Sequence, residues 1–594
     1  MHHPTAVFLQ EACLQHQFIR SKDVSTIVER PERLRAVNVG IAAAVARIEA
    51  NLARDHSQGG GIKSESEIAE EDLTAALQRL NIANHAQYPS ASFPIRITKS
   101  DETLNVLSHP AVKFVHGDIE GDVYLENLIS WARQSRNKIS SEGSEIPDGL
   151  SQGDLYLCPT SMVAISGALA TVCEAVDSVV GNSHSHSAPD DQLPTARSGF
   201  VAVRPPGHHC GEDTPSGFCF VNNVVVGAAH AHLKHNINRA IIFDIDLHHG
   251  NGTQSLVWQI NEESYRQRLE QSYGAPATKP GLQVFYGSLH DILSYPCEDG
   301  KPELVQAAST SIHGPHGQYV ENIHLLPYIT EENFWEELYA KYYAKLFERA
   351  ATFVKETASD KGKDDVIIFI SCGFDACEHE YESMSRHGRK VPVGFYHRFA
   401  QDAQALADKV AQGRLISVLE GGYSDRALTS GVIAHLSGLA AMPYSPDWWS
   451  LENLASLEKA TKKRKGGRSS LPNTPPESWL ERTLEVFATI DSNPPPTQPV
   501  APAMSMSLRD RSKPSSGRAP SSMTATEPLQ PPKASSAPKK NAKSKNNTSR
   551  NVTQAVESTD AEAEEPKPQT QKRLPRVILK LGPDPKLAGP HNDA

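Results

Sequence analysis

The 594-residue sequence predicts an α/β fold: a single large domain with a central, mostly parallel sheet covered by helices on both faces, plus a disordered C-terminal tail. Three observations predict it. Short, almost continuous apolar segments alternate with helical segments between residues 199 and 441, as in parallel strands buried on both faces. Several apolar segments end in polar residues, where such sheets bind ligands. From residue 459 onward Pro, Ser, Lys and Ala dominate, a composition typical of disorder.

We therefore expect one catalytic domain over residues 1–458, with insertions near 52–150 and 181–197. Residues 459–594 form a basic tail in which residues 477–490 predict a short helix. Lys and Arg outnumber Asp and Glu by 23 to 13 in the tail, whereas the domain holds 36 against 57. An acidic domain favours cationic partners such as lysine-rich peptides, although ordinary solvated charge explains either half equally well.

The elements before residue 199 are irregularly spaced. Apolar residues at helical intervals predict a helix over Glu29–Ala50, and a second helix is expected over 70–80. A strand follows at 92–101, then a helix at 123–139 and a long apolar helix after Cys158. The later elements alternate regularly, with strands at 199–210, 241–252, 282–290, 365–375 and 415–423 and helices at 222–235, 330–357, 393–412 and 424–441.

Composition also argues against several classes of protein. The N-terminus lacks a cationic start and a long apolar core, so no secretory signal is expected. The sequence contains no uninterrupted apolar run of about 18 residues, so no membrane-spanning helix is expected. The eight cysteines are scattered, which favours a reducing compartment over a disulfide framework, and no CxxC pair predicts a cysteine zinc site.

The segment 241–252, IIFDIDLHHGNG, carries the strongest chemical signal. Asp244, Asp246 and His248 are spaced two residues apart, so an extended strand presents all three on one face. A buried carboxylate is costly unless it is paired or bound to a metal. Mixed oxygen and nitrogen donors suit a divalent metal, zinc first. A metal site at the end of this strand is the prediction.

Five motifs in order, RPPGHH, GFCFVNN, DIDLHHGNG, CGFDAC and EGGY, resemble those of the zinc-dependent histone deacetylases in the arginase/deacetylase superfamily. The resemblance covers Glu29 to Ala440 and includes ERPERL near the start. RPPGHH and the Asn of HHGNG resemble the class II branch, and FYGSLHDILSYPCEDG resembles a fungal Hos-type subgroup. The resemblance to the histone deacetylases implies the arginase/deacetylase fold and hydrolysis of N6-acetyl-lysine.

The resemblance also implies a metal set. Asp246, His248 and Asp375 would bind Zn²⁺ and leave an open position for water and the substrate carbonyl. Members of the family bind K⁺ near the zinc, and Asp244 and Ser288 occupy the matching positions.

Catalytic roles follow from the same resemblance. His209 would be the general base and His208 its electrostatic partner, oriented by Asp244. Tyr423 would donate a hydrogen bond to the developing oxyanion. Asn251 would orient His209 without adding negative charge. With this amide partner, His209 should be less basic than it would be with a carboxylate partner.

Gly217, Phe218 and Tyr295 would line the acyl-lysine channel. Many relatives place a substrate-gripping Asp at the channel rim, just before the CP dipeptide. Here that position is Leu157, so Asp154 or a preceding loop residue would replace it, or the peptide is gripped differently. The segment after Asp375 also departs from the family pattern.

The predicted function is deacetylation of histones in chromatin regulation and transcriptional repression. Non-histone proteins and acetylated polyamines remain alternative substrates for the same mechanism, and an arginase-type binuclear enzyme or an inactive acetyl-lysine binder are competing functions. Expected partners are acetylated histone tails, with a co-repressor or self-association left open. Neither sequence-specific DNA binding nor a membrane is expected.

Basic clusters in the tail, 462–465 and 538–545, predict a nuclear location, with the cytoplasm also open. His230, His232 and His235 belong to none of the five motifs and are expected to be helix-surface histidines.

Overall fold

The computed structural model describes residues 4–58, 94–117, 123–184, 196–276, 278–359, 362–462 and 477–491. Within them lies a nine-stranded sheet, which confirms the predicted α/β class. The strands are β1 (Thr5–Gln10), β2 (Ile95–Ser100), β3 (Ser198–Ala202), β4 (Arg239–Asp244), β5 (Gln283–His290), β6 (Ser311–His313), β7 (Tyr319–His324), β8 (Val366–Cys372) and β9 (Leu415–Leu419).

The strand order is β2-β1-β3-β9-β8-β4-β5-β7-β6, and every neighbouring pair is parallel except β6 with β7. The central strands are wholly buried, as their continuous apolar sequences predict. The carboxyl ends of β3, β9, β8 and β4 therefore lie side by side at one edge.

The helices are α1 (Glu32–Gln58), α2 (Pro110–His116), α3 (Tyr124–Glu142), α4 (Ser161–His184), α5 (Asn223–His235), α6 (Asn251–Ser272), α7 (Pro302–Ala307), α8 (Lys345–Glu356), α9 (Gly394–Val410), α10 (Asp425–Leu439), α11 (Leu451–Thr461) and α12 (Ser478–Ile490). Residues Glu331–Asn333 and a π-helical segment, Phe334–Tyr343, precede α8. Short 3₁₀ segments occur at Glu11–Gln15, Pro315–Gly317, Gly362–Asp365 and Pro446–Trp449.

The sequence prediction missed β1, β6 and β7. Strand β1 is a six-residue, mostly apolar segment with no strand–helix alternation around it. Strand β6 lies at the sheet edge and β7 beside it, and both are partly exposed and of mixed polarity. The long helix predicted over 330–357 is helical but contains the π-helical stretch. The helix expected over 70–80, most of the 181–197 insertion and both basic clusters, apart from Lys462, lie outside the described residues.

Helix α12 packs on α1. Its Trp479, Val486, Phe487 and Ile490 side chains are buried, each worth roughly 1.5–3 kcal/mol if fully removed from water. The guanidinium of Arg47 lies 3.6 Å from the Trp479 ring centroid. The folded body therefore includes this segment.

Two helical spans, Glu32–Arg54 and Ser161–Gly181, are long and apolar enough by composition to cross a membrane. In both, most of the apolar window, 67% and 72%, is buried inside the folded body. Core helices of a large domain meet the same criterion. All eight cysteines are buried and free of disulfides.

A buried ion-pair network joins three of the sequence motifs. Glu29 is fully buried and accepts hydrogen bonds from Arg204 at 2.7 and 2.8 Å and from Arg33 at 3.0 Å. Arg33 also donates to the carbonyls of Gly422 and Glu420. Burial opposes ionisation of Glu29, but the two guanidiniums outweigh it and lower its pKa. The network fixes ERPERL against RPPGHH and EGGY.

We predict that Glu29→Gln lowers the free energy of unfolding by about 3–5 kcal/mol, because it leaves buried guanidiniums without their counter-charge. Urea denaturation of the full-length chain measures this. Because the folded-state pKa of Glu29 is lowered, its contribution is lost as the pH falls. Glu263→Gln, which breaks an exposed pair with Arg266, is the matched control and should change stability by less than about 1 kcal/mol. Equal effects of the two variants would contradict the role given to Glu29.

Candidate metal centre

Two neighbouring strands, β4 and β8, bring the predicted metal ligands together, and β9 lies beside β8. In register, Asp244 at the end of β4 lies beside Ser371 of β8, and Cys372 of β8 lies beside Leu419 of β9. Asp246 follows β4 and Asp375 follows β8, so both carboxylates emerge at the same edge. Parallel pairing of β4 with β8 brings Asp246 and Asp375 close together although they are far apart in the sequence.

Asp246, His248 and Asp375 form a cluster whose donor atoms all lie within 4.8 Å of one another. His248 Nδ1 lies 3.2 Å from Asp246 Oδ1 and 2.9 Å from Asp375 Oδ2. Both carboxylates are fully buried. The structure thus places the three predicted ligands in one group.

The charges in this cluster are strongly coupled. Burial and then the neighbouring charge of Asp246 raise the pKa of Asp375. Burial also opposes ionisation of Asp246, but the His208 and His248 imidazoles outweigh it and lower the pKa of that carboxyl. Two buried carboxylates this close favour a bound cation, which would offset their repulsion.

Two glycines leave room beside the carboxylates. A Cβ at Gly373 would lie 1.9 Å from Asp246 Oδ2, and a Cβ at Gly421 would lie 2.5 Å from both Asp246 Oδ2 and Asp375 Oδ2. The Gly421 N–H donates to Asp246 Oδ2 at 2.8 Å, and the Leu247 N–H donates to Asp375 Oδ1 at 2.8 Å. The cradle and its Asp/His/Asp donors fit Zn²⁺, with three protein ligands as in catalytic zinc sites.

The two adjacent histidines have opposite partners. His208 Nδ1 lies 3.2 Å from Asp244 Oδ2, and His209 Nδ1 lies 2.8 Å from Asn251 Oδ1. Burial would lower the pKa of His208, but the Asp246 and Asp244 carboxylates outweigh it and raise it to about 10. Burial and then the charges of His208 and His248 hold the pKa of His209 well below its ordinary value.

The neighbouring carboxylates thus favour the charged form of His208, whereas burial and the adjacent charges favour the neutral form of His209. Because an amide oxygen only accepts hydrogen bonds, the single proton of His209 lies on Nδ1, facing Asn251. Its Nε2 is left as a proton acceptor. This is the protonation state that a general base requires.

Tyr423 is held through its backbone and its ring. Its N–H donates to Glu380 Oε2 at 2.7 Å, and the Ser424 N–H donates to Glu380 Oε1 at 2.9 Å. Gly422 adopts a φ of +105°, which favours glycine, and the Arg33 guanidinium lies 5.1 Å from the Tyr423 ring centroid. Burial and then the Asp375 carboxylate raise the pKa of the Tyr423 phenol, which therefore remains an O–H donor.

Sequence reasoning missed Glu380 and Glu420, two buried carboxylates of this site. Glu420 accepts from the backbone N–H groups of Gly207 and His208 at 2.7 and 3.2 Å and so fixes the histidine pair. The position of Glu420 directly before the two glycines of EGGY is the sequence signal that could have identified it. Glu380 lies in the segment that departs from the family pattern, where no local signal marked it.

The predicted channel residues flank the histidine pair. The Tyr295 ring packs edge-on against His209 with centroids 4.9 Å apart, and its hydroxyl bonds to Ser216. The Phe218 ring lies 5.9 Å from that of Tyr423. A Cβ at Gly217 would lie 2.4 Å from the His209 ring, so glycine is required there.

The residues predicted for the channel rim and for K⁺ binding also lie within the described part of the chain. Leu157 is fully buried and cannot grip substrate, whereas the charge of Asp154 contributes to the raised pKa of Tyr295, after burial. The Asp154 carboxylate accepts a hydrogen bond from Ser151 Oγ at 2.7 Å. Asp244 and Ser288 are adjacent in register across β4 and β5, and both are buried.

The surface assignment of the α5 histidines is wrong for His230, whereas His232 and His235 are partly exposed. His230 is 7% exposed, and His230 and His235 both contact Asp177 of α4. His232 instead contacts Asn238. The helical period alone did not reveal that α4 supplies a shared carboxylate.

The sequence profile of the histone deacetylase domain matches residues 107–439. The chain is 33% identical over 470 residues to histone deacetylase HOS3 of Saccharomyces cerevisiae, covering 77% of this chain and 59% of the relative. It is 26% identical over 345 residues to type-2 histone deacetylase 1 of Dictyostelium discoideum, covering 51% and 21%. Histone deacetylase 10, chloroplastic, of Oryza sativa subsp. japonica is 28% identical over 317 residues, covering 52% and 58%.

The chain thus spans less than two thirds of the length of each of these relatives. Among solved structures, the crystal structure of the HDA15 HD domain superposes with a TM-score of 0.46 and 19% identity. It covers 82% of this chain and 99% of that one.

We predict that Gly421→Ala weakens Zn²⁺ binding at Asp246, His248 and Asp375 by about 10- to 100-fold, because the added Cβ displaces both carboxylates. Titration of the metal-free full-length chain with Zn²⁺ measures the affinity. Gly153→Ala is the matched control, since nothing lies within 4 Å of its Cβ position. Unchanged affinity in Gly421→Ala would rule out this cradle as the zinc site.

Proposed function

The chain belongs to the histone deacetylase family, and on that premise we propose that it is a zinc-dependent protein-lysine deacetylase. Its reaction is hydrolysis of N6-acetyl-lysine on histone tails to lysine and acetate. The observation that carries this proposal is the convergence of a buried Asp/His/Asp donor set, a neutral histidine and a protonated tyrosine at one sheet edge. Acyl transfer needs these three parts.

Asp246, His248 and Asp375 would hold Zn²⁺, which when bound polarises a substrate carbonyl and makes its water ligand more acidic. The family is in general zinc-dependent, and the donor set of this chain suits that ion. A K⁺ ion beside Asp244 and Ser288 is the second proposed cofactor. Asp244 at that site also holds His208.

His209 carries the proton transfers. Its Nε2 takes a proton from the attacking water and later gives it to the leaving lysine nitrogen. Asn251 keeps Nδ1 protonated throughout by accepting its hydrogen bond. His208 remains charged, disfavours premature protonation of His209 and stabilises negative charge that develops in the transition state.

Tyr423 supplies the oxyanion hydrogen bond. Its O–H donates to the acetyl oxygen as negative charge develops there, an interaction stronger in the transition state than in the ground state. Glu380, Arg33 and Gly422 fix its position before substrate arrives. The preorganised donor costs no reorganisation during the reaction.

The channel residues select an extended, apolar chain. Phe218 and Tyr295 would contact the methylene groups of acetyl-lysine, and Gly217 keeps the passage beside His209 open. Asp154 would bind substrate backbone N–H groups. The acidic balance of residues 1–458 suits basic histone tails.

Alternative substrates use the same machinery. Non-histone proteins and acetylated polyamines would reach the same zinc, base and tyrosine, and a substrate panel separates them. An inactive acetyl-lysine binder would require loss of a ligand, the base or the tyrosine, and each of these positions keeps its functional residue.

We propose residues 1–458 as the catalytic domain and 459–594 as a tail. Co-repressor binding or self-association, chromatin regulation and transcriptional repression belong to the same proposal.

We predict that the purified full-length chain releases acetate from acetyl-lysine histone-tail peptides faster than from acetyl-tubulin peptide or acetylated polyamines. His209→Ala and Tyr423→Phe should lower kcat by about 10²–10⁴-fold and 10²–10³-fold, because they remove the base and the oxyanion donor. His232→Ala on α5 is the control and should keep full activity. Wild-type rates in both site variants would refute the mechanism, and preference for polyamines would replace the substrate assignment.

We predict that Asn251→Asp moves the acidic limb of the pH profile of kcat/KM to higher pH. Burial and the His208 and His248 charges lower the pKa of His209, so in the wild type His209 is neutral down to well below its ordinary pKa. A carboxylate at position 251 favours the imidazolium and raises that pKa. Rates measured across pH with one histone peptide test this. A limb that stays in place, or moves to lower pH, would contradict His209 as the base.

A nuclear location is the remaining proposal, supported by the basic clusters at 462–465 and 538–545. The name of the rice relative records a chloroplastic protein, so the family alone does not fix the compartment. We predict nuclear fluorescence from a tagged full-length chain, lost when the lysines and arginines of both clusters are changed to alanine. A wild-type chain excluded from the nucleus would contradict the assignment.

A further inference from the structure

We propose that this chain holds a second divalent-metal site, for Zn²⁺ first, formed by Asp177 of α4 and by His230 and His235 of α5. The site is separate from the catalytic centre. Helix α5 begins at Asn223 beside the channel loop and ends at His235, and its ends lie roughly 18 Å apart from the helical rise per residue. This proposal does not depend on the deacetylase activity.

The donor atoms already converge. His230 Nε2 and His235 Nε2 lie 3.0 and 2.7 Å from the same oxygen, Asp177 Oδ1. All three ligand atoms lie within 4.8 Å of one another. Donors around a tetrahedral zinc ion lie roughly 3.3 Å apart for bond lengths of about 2.0 Å, so only small shifts are needed.

A second group of potential ligands shares His230 with this cluster. Cys173, one helical turn before Asp177, and His109 form a second group with His230 whose donor atoms also lie within 4.8 Å. The His109 ring stacks on His230 with centroids 5.6 Å apart. Its Nδ1 is buried and has no hydrogen-bond partner in the part of the chain that the structure describes. The carboxylate and two imidazoles of Asp177, His230 and His235 themselves favour zinc, with water in the fourth position.

The competing occupant of this cluster is protons alone. Lys234 Nζ lies 2.7 Å from Asp177 Oδ2, and protonated histidines on Oδ1 would complete an ion cluster without metal. The Lys234 side chain is 55% exposed and can turn into solvent when a cation binds. The two occupants differ in one measurable respect, because only the metal site adds a second equivalent of zinc.

The proposed metal site would stabilise the position of the loop that carries Gly217 and Phe218. His109 caps α2, and His116 at the other end of α2 accepts from the Asn222 N–H at 2.9 Å and contacts the Glu212 carbonyl at 2.8 Å. Residues 212 and 222 bound the loop that carries Gly217 and Phe218. A metal joining α4 and α5 beside His109 therefore stabilises the framework of the channel.

The experiment uses the full-length chain without a histidine tag. It is stripped of metal, titrated with Zn²⁺ and analysed for bound zinc after dialysis, with Co²⁺ absorption as a parallel measure of coordination. We expect two equivalents in the wild type and in His232→Ala, the control histidine on the same helix. We expect one equivalent in His235→Ala and in Asp177→Asn.

Asp246→Asn, which disables the catalytic centre, should keep the second equivalent. The Tm should rise with the second equivalent in the wild type but not in His235→Ala or Asp177→Asn. Circular dichroism and the retained catalytic zinc show that these two variants are folded. A single equivalent in the wild type, a second equivalent that survives both variants, or no zinc in Asp246→Asn would overturn the proposal.

Discussion

The repulsion between the buried carboxylates of Asp246 and Asp375 is the constraint on which the site depends. Burying a charge costs several kcal/mol per ion unless it is compensated, and here two lie against one imidazole. The parallel pairing of β4 with β8 forces them together, and glycines at 373 and 421 leave room beside their oxygens. The sheet therefore holds negative charge in place for a divalent cation, at the edge where α/β enzymes bind their ligands.

The two histidines differ in their hydrogen-bond partners. His208 and His209 are adjacent in sequence, yet a carboxylate keeps the first charged and an amide leaves the second neutral. The charged ring then helps to hold its neighbour in the basic form. Two buried carboxylates outside the proposed ligand set bind backbone N–H groups instead: Glu420 fixes the histidine pair, and Glu380 fixes Tyr423. Glu29 binds the guanidinium of Arg33, which packs on the Tyr423 ring.

Much of this arrangement could be predicted because it is written in local patterns. Apolar strands that end in Asp244, Asp375 and Tyr423 are visible in the sequence, and parallel pairing places their ends at one edge. Strand order is not visible locally, so the adjacency of β4, β8 and β9 came only with the structure. Glu380 contacts a backbone 43 residues away, and Asp177 meets His230 across two helices. Such contacts depend on how elements pack, which neither period nor composition records. Strands β6 and β7 were missed for a related reason, since partly exposed strands lack a continuous apolar signal.

The central claim is that acetyl-lysine hydrolysis depends on a metal held by Asp246, His248 and Asp375. The most direct test is acetate release from an acetyl-lysine histone peptide by the metal-free full-length chain as Zn²⁺ is added, beside Asp375→Asn treated identically. The account predicts that activity appears with zinc, saturates as the site fills and stays absent in the variant at every zinc concentration. Full activity in the chelated wild-type chain, or zinc-restored activity in Asp375→Asn, would contradict it.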